Sequence, residues 1–496
     1  MKLSALLGAL QPRTVSGGVE VECRGLAYDS RQVTPGILFF ALPGSRVDGA
    51  KFSAPAAANG AVAVVAESAA ALPPTIPQII VPNARQAMAR VAAAFYGQPS
   101  RALRVIGITG TNGKTTVAFL VRHLLNSAGI RTGMLGTVEY DTGDRVIPAS
   151  RTTPESLDLQ QMFARMRDAG CDACVMEVSS HALCQHRVEE IQFHAGVFTN
   201  LTRDHLDYHG DMEKYFTAKR RLFEMLHPDR APGTAIINVD DLYGQRLAST
   251  LSAEETTSFG LSDGSGLRGR IQQLGAQETH FHVANAGARA GEWDQQFPLI
   301  GRHNVSNALA AIGVGLAMGL DAKTIQCAMA TAPPAPGRLE PVDCGQPFAV
   351  FVDYAHTDDA LRQVLITLRE ITRGRLLLLF GCGGNRDAGK RPAMGEVAAE
   401  LADITLVTND NPRRESPETI AAQIVAGYHC GRSDGCEIEL DRARAIEKIL
   451  QQAQPGDTVL LAGKGHETYQ EAGDAVAVFD DRQHATTVLA ALGHGR

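Results

Sequence analysis

Short apolar runs alternate with stretches of helical periodicity along almost the whole chain. In the first hundred residues GILFFAL, AVAVVAE and QIIVP read as strands, and NARQAMARVAAAFYG reads as a closing helix. GQPSRAL at 97–103 breaks the pattern with Gly, Pro and Ser and reads as a linker. A second block opens with the strand RVIGIT, followed by a Gly-rich turn and a helix. In that helix Val117, Leu120, Val121, Leu124 and Leu125 repeat at i, i+3, i+4, i+7 and i+8, one apolar face. AGVFTN and TAIINVD follow as strands among helical stretches up to about 330, and TAPPAPGR at 331–338 marks the next boundary. The third block repeats the alternation through FAVFVDY, RLLLLFG, DITLVT and DTVLLAG. Apolar strands between helices argue for mostly parallel sheets covered on both faces. The expected fold class is therefore α/β in three domains, over 1–100, 101–335 and 336–496.

Composition narrows the function. The 496 residues suit roughly three domains at about 150 residues each. Lys plus Arg number 47 against 54 Asp plus Glu, a net charge of -7, which argues against a nucleic-acid binder with a broad basic face. Anionic small substrates need only a few well-placed Arg and Lys. No run approaches the 18 or so apolar residues of a membrane span. The start MKLSALLGALQPRT lacks a cleavage site for a signal peptide. Nine scattered cysteines suit a reducing compartment, so a cytoplasmic location is expected. Cys171-x-x-Cys174 lacks the second pair that zinc would want, and reads as two small buried hydrophobes.

The polar clusters TGTNGKTT, MEVSSH, TNLTRDHLD, VDYAHT, FGCGGNRD, TNDNPRRE and AGKGHE nearly all follow a predicted strand. In open α/β sheets ligands bind beyond the carboxyl ends of the strands. GITGTNGKTT at 107–116 reads as a phosphate-binding loop: Gly110, Thr111, Asn112, Gly113, Lys114, Thr115 and Thr116 sit between strand and helix. Its backbone N–H groups and the helix N-terminus would cradle phosphates. Lys114 would reach the β- and γ-phosphates, and the Thr115 hydroxyl would meet Mg²⁺. The spacing departs from G-x-x-x-x-G-K-[ST], because Ile108 stands where the first glycine is expected. Glu177 and His205, at neighbouring strand ends, could reach the same ion.

Together GTNGKTT, EVSSH, NLTRDHLDYHG, GRHNVSNALAA, GRLE and VDYAHT resemble the Mur ligases, in order and over nearly the whole chain. That resemblance implies ATP-dependent amide formation between a UDP-muramoyl intermediate and an amino acid. It implies a small N-terminal UDP-binding domain, a central phosphate-loop domain and a C-terminal Rossmann-like domain. It assigns Asn304, Arg338, Asp353 and His356 to the ATP pocket, and Glu177 and His205 to Mg²⁺. Lys219 matches a lysine that such ligases carbamylate, where it would help hold a second Mg²⁺. By the same likeness Ser30, Thr152, Thr153, Ser179, Gln185 and Arg187 would hold the muramoyl-dipeptide. DNPRRE, from Asp410 to Glu415, resembles the family members that add meso-diaminopimelate. Its extra carboxylate suits a bidentate guanidinium, which Arg413 would supply, with Asp410 and Asn411 taking the ammonium beside Pro412. Arg386, Gly463 and Glu467 would complete that pocket. Asn385 and Asn409 stand where an acidic residue is more usual. The expected partners are UDP-MurNAc-L-Ala-D-Glu, meso-diaminopimelate and ATP, acting on a monomer.

Three rival readings carry less. A folylpolyglutamate synthase has no reason to carry the N-terminal YDSR block, nor a lysine-adding ligase DNPR. A phosphate-loop kinase or switch would not need the EVSSH and GKGHE clusters. A dead scaffold would not need Lys114, Thr115, Glu177, His205 and Lys219 together.

Overall fold

The computed structural model describes residues 1–44, 49–226, 234–275, 277–285 and 291–495. Residues 45–48 of the GILFFALPGSRVDGAKF segment therefore lie outside the described residues. The chain divides into two compact units. One holds Met1–Thr109, Gly129–Phe198 and Glu213–Ala235, the other Gly110–Ala128, Thr199–Met212 and Ile236–Arg496.

In the first unit β1 (Thr14–Ser16), β2 (Gly25–Ala27), β3 (Ile37–Phe40), β4 (Ala61–Ala66) and β5 (Gln78–Ile80) form a sheet of order β1-β5-β4-β3-β2. All its pairs are parallel except β1 with β5. Alternate residues of β3 and β4 feed opposite faces: Leu38, Phe40, Ala63 and Val65 pack under the helices Leu3–Leu10 and Ala84–Phe95, while Phe39 and Val64 join Ala56 on the other side. The predicted linker is not a free connector, because Pro99–Ala102 forms a 3₁₀ turn with Pro99 and Ser100 buried. The same unit holds β6 (Arg104–Thr109), β7 (Thr132–Leu135), β8 (Glu139–Asp141), β9 (Val146–Pro148), β10 (Ala173–Glu177) and β11 (Phe193–Phe198). β11, β6, β10 and β7 are parallel neighbours in that order, and β8 and β9 continue antiparallel. Cys174 lies inside β10, fully buried, and Cys171 just before it is buried too.

The chain passes from one unit to the other within β12 (Thr234–Asn238). In the second unit β13 (Thr256–Gly260), β14 (Leu267–Leu274), β15 (Thr279–Asn285) and β16 (Trp293–Phe297) replace the expected strand–helix alternation. β14, β15 and β16 form an antiparallel meander. Their sequences LRGRIQQL, THFHVAN and WDQQF alternate at period two, with Leu267, Phe281, Val283 and Phe297 inward. One-faced burial of that kind suits antiparallel strands, not the doubly covered ones expected. The helix Lys114–Ser127 packs on Arg302–Ala317, and Gly315 admits Leu124, which would lie 2.8 Å from an added Cβ.

The C-terminal sheet runs β17 (Glu340–Pro341), β18 (Ala349–Asp353), β22 (Thr458–Ala462), β19 (Leu376–Phe380), β20 (Ile404–Val407), β21 (Cys436–Ile438). β18, β22, β19, β20 and β21 are all parallel. The run Leu376–Phe380 is fully buried on both faces: Leu376, Leu378 and Phe380 face one set of helices, Leu377 and Leu379 the other. Parallel direction sends the loops after β18, β19, β20 and β22 to one edge. A small hairpin, β23 (Tyr469–Ala472) and β24 (Ala475–Val478), follows the last of these loops. No helix among the described residues is long and apolar enough to cross a membrane.

Candidate active site

The phosphate loop is built on two glycines that no other residue can replace without backbone or side-chain movement. An added Cβ at Gly110 would lie 1.9 Å from Thr199 Oγ1, and one at Gly113 would lie 2.5 Å from Asn307 Oδ1. Gly113 also has φ +85°, a left-handed conformation natural to glycine. The loop is laced to the 199–202 segment. Thr199 Oγ1 donates to Asn112 O (2.6 Å), Asn112 N donates to Asn200 Oδ1 (2.9 Å), and Thr111 N donates to Asn200 O (2.9 Å). Lys114 Nζ curls over the loop and donates to Gly110 O (3.0 Å) and Thr111 O (2.8 Å). Asn304 and Asn307 are joined (3.0 Å), and Asn304 Nδ2 donates to Ile300 O (2.9 Å).

Arg338 reaches the same place: its Nη2 donates to Thr115 Oγ1 (3.3 Å), and its guanidinium lies 4.8 Å over the Tyr354 ring. Tyr354 in turn meets His356 edge-on and His466 at a tilt, with ring centroids 4.7 and 4.9 Å apart. Burial drives His356 down to about 4, reinforced by Lys390 and Arg338, and drives His466 down to about 3, so both imidazoles are neutral near pH 7. Asp353 is buried, which raises its carboxyl, and it accepts from Leu339 N and Ala355 N, each at 2.7 Å. It therefore shapes the loop after β18. Asp359 accepts from Asn112 Nδ2 (2.9 Å) and Thr202 Oγ1 (3.1 Å), tying the phosphate loop to the helix Asp358–Ile371. His205 stands in the left-handed region at φ +53°, with Nε2 3.3 Å from Asp204 Oδ2. Burial alone would raise Asp204, but His205, His356 and Lys114 hold it below the usual carboxylate range.

The loops after β19 and β20 run backbone against backbone. A Cβ on Gly381 would lie 2.1 Å from Thr408 O, and one on Gly384 would lie 1.9 Å from Pro412 O. Gly384 N donates to Asn411 O (2.9 Å). Arg391, wholly buried, grips Glu415 through two bonds (2.6 and 2.8 Å), and Asn385 N donates to the same carboxylate (3.0 Å). Beyond β22, the buried Lys464 lies 3.2 Å from Asn411 Oδ1, 3.4 Å from Glu467 Oε2 and 3.7 Å from Asp410 Oδ1. Two carboxylates share this one ammonium. Burial, and then Asp410, raise Glu467, and Asp410 Oδ1 is buried without a hydrogen-bond partner among the described residues. Arg413, at φ +53°, donates from Nη1 to Gly384 O (3.0 Å).

In the first unit Thr153 Oγ1 donates to Glu177 O (2.9 Å) and accepts from Ser179 N (3.1 Å). Arg187 donates to Thr153 O (2.9 Å) and Gln185 Oε1 (2.7 Å), and its Nε lies 3.2 Å from Glu155, which also takes Arg85 and Arg151. Thr152 and Thr137 share a hydroxyl contact (3.1 Å), and Thr137 donates to both oxygens of Glu177 (2.8 and 3.1 Å). Lys219 is 1% exposed, with its Nζ 4.6 Å over the Tyr215 ring.

Three family models match this chain: the Mur ligase family, catalytic domain over 22–96, the Mur ligase middle domain over 108–315, and the Mur ligase, glutamate ligase domain over 337–465. The UDP-N-acetylmuramoyl-L-alanyl-D-glutamate–2,6-diaminopimelate ligase of Solibacter usitatus (strain Ellin6076) is 46% identical over 499 residues, covering 100% of this chain and 99% of that protein. The chain belongs to the Mur ligase family. The protein of the same description from Geobacter metallireducens (strain ATCC 53774 / DSM 7210 / GS-15) is 44% identical over 509 residues, with 99% of each chain covered. A solved diaminopimelate ligase of that description superposes with a TM-score of 0.68 at 32% identity, covering 100% of this chain and 99% of its own. A folylpolyglutamate synthase of Mycobacterium tuberculosis, complexed with ADP and AMPPCP, superposes at 0.62 and 19% identity, covering 82% of this chain and 95% of its own. It shares the fold.

Within this Mur ligase the site residues expected from the sequence fall into three groups. The phosphate loop, Asn304 and Arg338 come together, with Asp353 and His356 supporting them. Thr152, Thr153, Ser179, Gln185 and Arg187 form a second connected cluster, while no hydrogen bond among the described residues links Ser30 to it: Ser30 O accepts from Asn59 Nδ2 (3.0 Å). Asp410, Asn411, Gly463 and Glu467 converge with Arg413 nearby, but Arg386 is exposed, without a partner among the described residues. The sequence motifs assign no role to Lys464, His466 or Asp359. Lys464 and His466 lie in the quoted GKGHE motif, and only tertiary contact reveals their partners. Asp359 reads in sequence as an ordinary helix N-terminal acid.

Arg391 holds the Glu415 carboxyl down to about 2, well below its ordinary value near 4.5. A depressed carboxylate contributes stability that is complete above its unfolded value and is lost as pH falls toward its folded one. Glu415→Gln is therefore expected to unfold at a lower temperature than the parent near neutral pH, with the gap narrowing from about pH 5 to about pH 2. Thermal unfolding followed by circular dichroism checks this; a gap that does not depend on pH would contradict it.

Proposed function

We propose that this Mur ligase joins meso-2,6-diaminopimelate to the γ-carboxylate of D-glutamate in UDP-MurNAc-L-Ala-D-Glu, at the expense of ATP, in the cytoplasm and as a monomer. The observation that carries the reading is the charge pattern beyond β20 and β22: a buried carboxylate oxygen on Asp410 that lacks a hydrogen bond, and a guanidinium on Arg413. An amino-acid head group would add an ammonium that hydrogen-bonds this oxygen, which Lys464 only approaches at 3.7 Å, and a carboxylate for the Arg413 nitrogens left beyond Glu471 and Gly384. Diaminopimelate carries two head groups, one to react and one to be held there. Relatives bearing that substrate's name match over the full length.

The γ-carboxylate attacks the γ-phosphorus of ATP, and the bond to the β-phosphate oxygen breaks, releasing ADP. Lys114 and the N–H groups of Gly110–Thr116 offset charge spreading over the transferred group. The amine of diaminopimelate then attacks the acyl phosphate carbon; phosphate leaves with the bonding pair, and the amine loses a proton. Mg²⁺ would neutralise the β- and γ-phosphates. Its proposed ligands, Thr115, Glu177, His205 and a carbamylated Lys219, are mostly the hard oxygen donors it prefers. Ser30 is assigned to the uridine diphosphate, and Thr152, Thr153, Ser179, Gln185 and Arg187 to the muramoyl-dipeptide. Arg386 is assigned to the amino acid's carboxylate. The domain limits proposed are 1–100, 101–335 and 336–496.

The test is amino-acid-dependent phosphate release from ATP with UDP-MurNAc-L-Ala-D-Glu, comparing meso-diaminopimelate with L-lysine. Turnover with the first and little with the second supports the reading; preference for lysine sinks it. Arg413→Ala is expected to raise KM for diaminopimelate about a hundredfold and to erase most of that preference, since one charged hydrogen-bonded contact is lost.

A further inference from the structure

The hairpin of β23 and β24 stays against the Asp410–Arg413 loop through a row of hydrogen bonds. Gln470 Nε2 donates to Asp410 O (2.9 Å), and Glu471 N donates to Asn411 Oδ1 (2.9 Å). Arg413 N donates to Glu471 O (3.1 Å), Gly473 N donates to Arg413 O (2.6 Å), and Arg413 bridges to Ala472 in parallel. An isolated two-stranded hairpin is marginal in water. This one exposes Val476 and Val478, the latter 91% exposed, so hydrophobic burial on that side does not hold it. Its place is set by the loop it touches.

From that hairpin Glu471 sets Oε2 2.8 Å from Arg413 Nε. On the other side Gly384 O takes Nη1. A guanidinium is planar with five N–H donors, so a hydrogen bond at Nη1 and a carboxylate in ion-pair contact at Nε restrain it from two sides. What is left is Nη2, which makes no hydrogen bond among the described residues. Gly383 leaves room for this arrangement, since an added Cβ there would stand 3.1 Å from Nη1.

We propose that Glu471 is a specificity-determining positioning residue: it holds the Arg413 guanidinium so that Nη2 is presented to the distal carboxylate of a diaminopimelate-type amino acid. The inference rests on the assignment of Arg413 to that carboxylate. Glu471 itself touches no reacting atom. Its carboxylate lies against Nε and away from the Nη2 edge, which is the arrangement of a support; a group occupying the ligand's place would take the Nη edge. Removing the support returns an arginine with several rotatable bonds to free rotation, and the ligand must then order it on binding.

The experiment is steady-state kinetics of the full chain for Glu471→Ala, Glu471→Gln and Arg413→Ala, each with meso-diaminopimelate and with L-lysine. For E471A the KM for diaminopimelate is expected to rise about fivefold to tenfold, with kcat lowered much less and the lysine constants moving less than about twofold. E471Q, which keeps an acceptor at the same distance, is expected to recover most of the loss. If R413A loses the preference for diaminopimelate while E471A leaves KM unchanged or lowers it, the role of Glu471 alone is overturned. Equal losses toward both amino acids in E471A would make the hairpin merely structural and overturn it as well. If R413A keeps the preference, the assignment of Arg413 fails, and the role of Glu471 goes with it.

Discussion

Lys114→Ala is expected to lower kcat for ATP-dependent phosphate release by about a thousandfold or more, with the protein still folded. The ammonium already lies over the phosphate loop, donating to Gly110 O and Thr111 O. A triphosphate on the loop would replace those neutral carbonyls with anionic oxygens, and charge on the transferred group grows toward the transition state. A donor fixed there acts without reorganising at the moment of reaction, which is why such groups carry large effects. Stability should change little, because the two carbonyls that lose the ammonium border a loop already bonded through Thr199 and Asn200. Lys114→Arg should not rescue, since a forked guanidinium is not a point charge. A K114A enzyme that kept more than about a tenth of kcat would remove the loop from the chemistry.

The largest effect on stability is expected at Asp481. Arg442 and Asp481 are both completely buried and joined by two bonds, at 2.7 and 2.5 Å. Arg442 also donates to Asn409 O and Ala462 O, each at 3.1 Å. Ala462 ends β22 just before Gly463, and Asn409 lies two residues past β20, just before Asp410. Asp481→Ala leaves a buried cation without its counter-charge and is expected to destabilise the fold by about 3–5 kcal/mol, read from urea unfolding. Because the same guanidinium pins both loops, KM for diaminopimelate should rise in whatever fraction stays folded. The paired change Arg442→Met with Asp481→Leu should recover much of the stability, since an apolar pair of similar volume is often neutral or better. A double variant as unstable as D481A would mean that packing, and not the unpaired charge, dominates.

Much of this was legible in the residues themselves. The strands of the C-terminal sheet, RLLLLFG and DTVLLAG among them, announce burial on both faces, and their polar followers mark the ligand edge. GTNGKTT carries its own physics, because the glycines, the lysine and the helix start are local. The meander from 267 to 297 carries a period-two alternation, but the strand–helix alternation around it points instead to helices in that stretch. Lys219 shows the limit of reading neighbours in sequence. Beside Arg220 and Arg221 it resembles a solvated basic face, yet on the helix Met212–Glu224 it shares the buried side with Tyr215 and Leu222, at i−4 and i+3.

What the sequence determined by itself is what periodicity and short-range chemistry encode: the elements, the phosphate loop and the charged motifs at strand ends. Pairing across long separations came from the fold alone. The sequence does not say that Arg391 would hold Glu415, that Asp359 would reach Asn112, or that Glu471 would hold Arg413. These contacts depend on which strand lies beside which, and on loops whose backbones touch where glycine leaves no side chain. An ion pair carries no local signature in the chain, because its energy depends on a distance that only the fold sets.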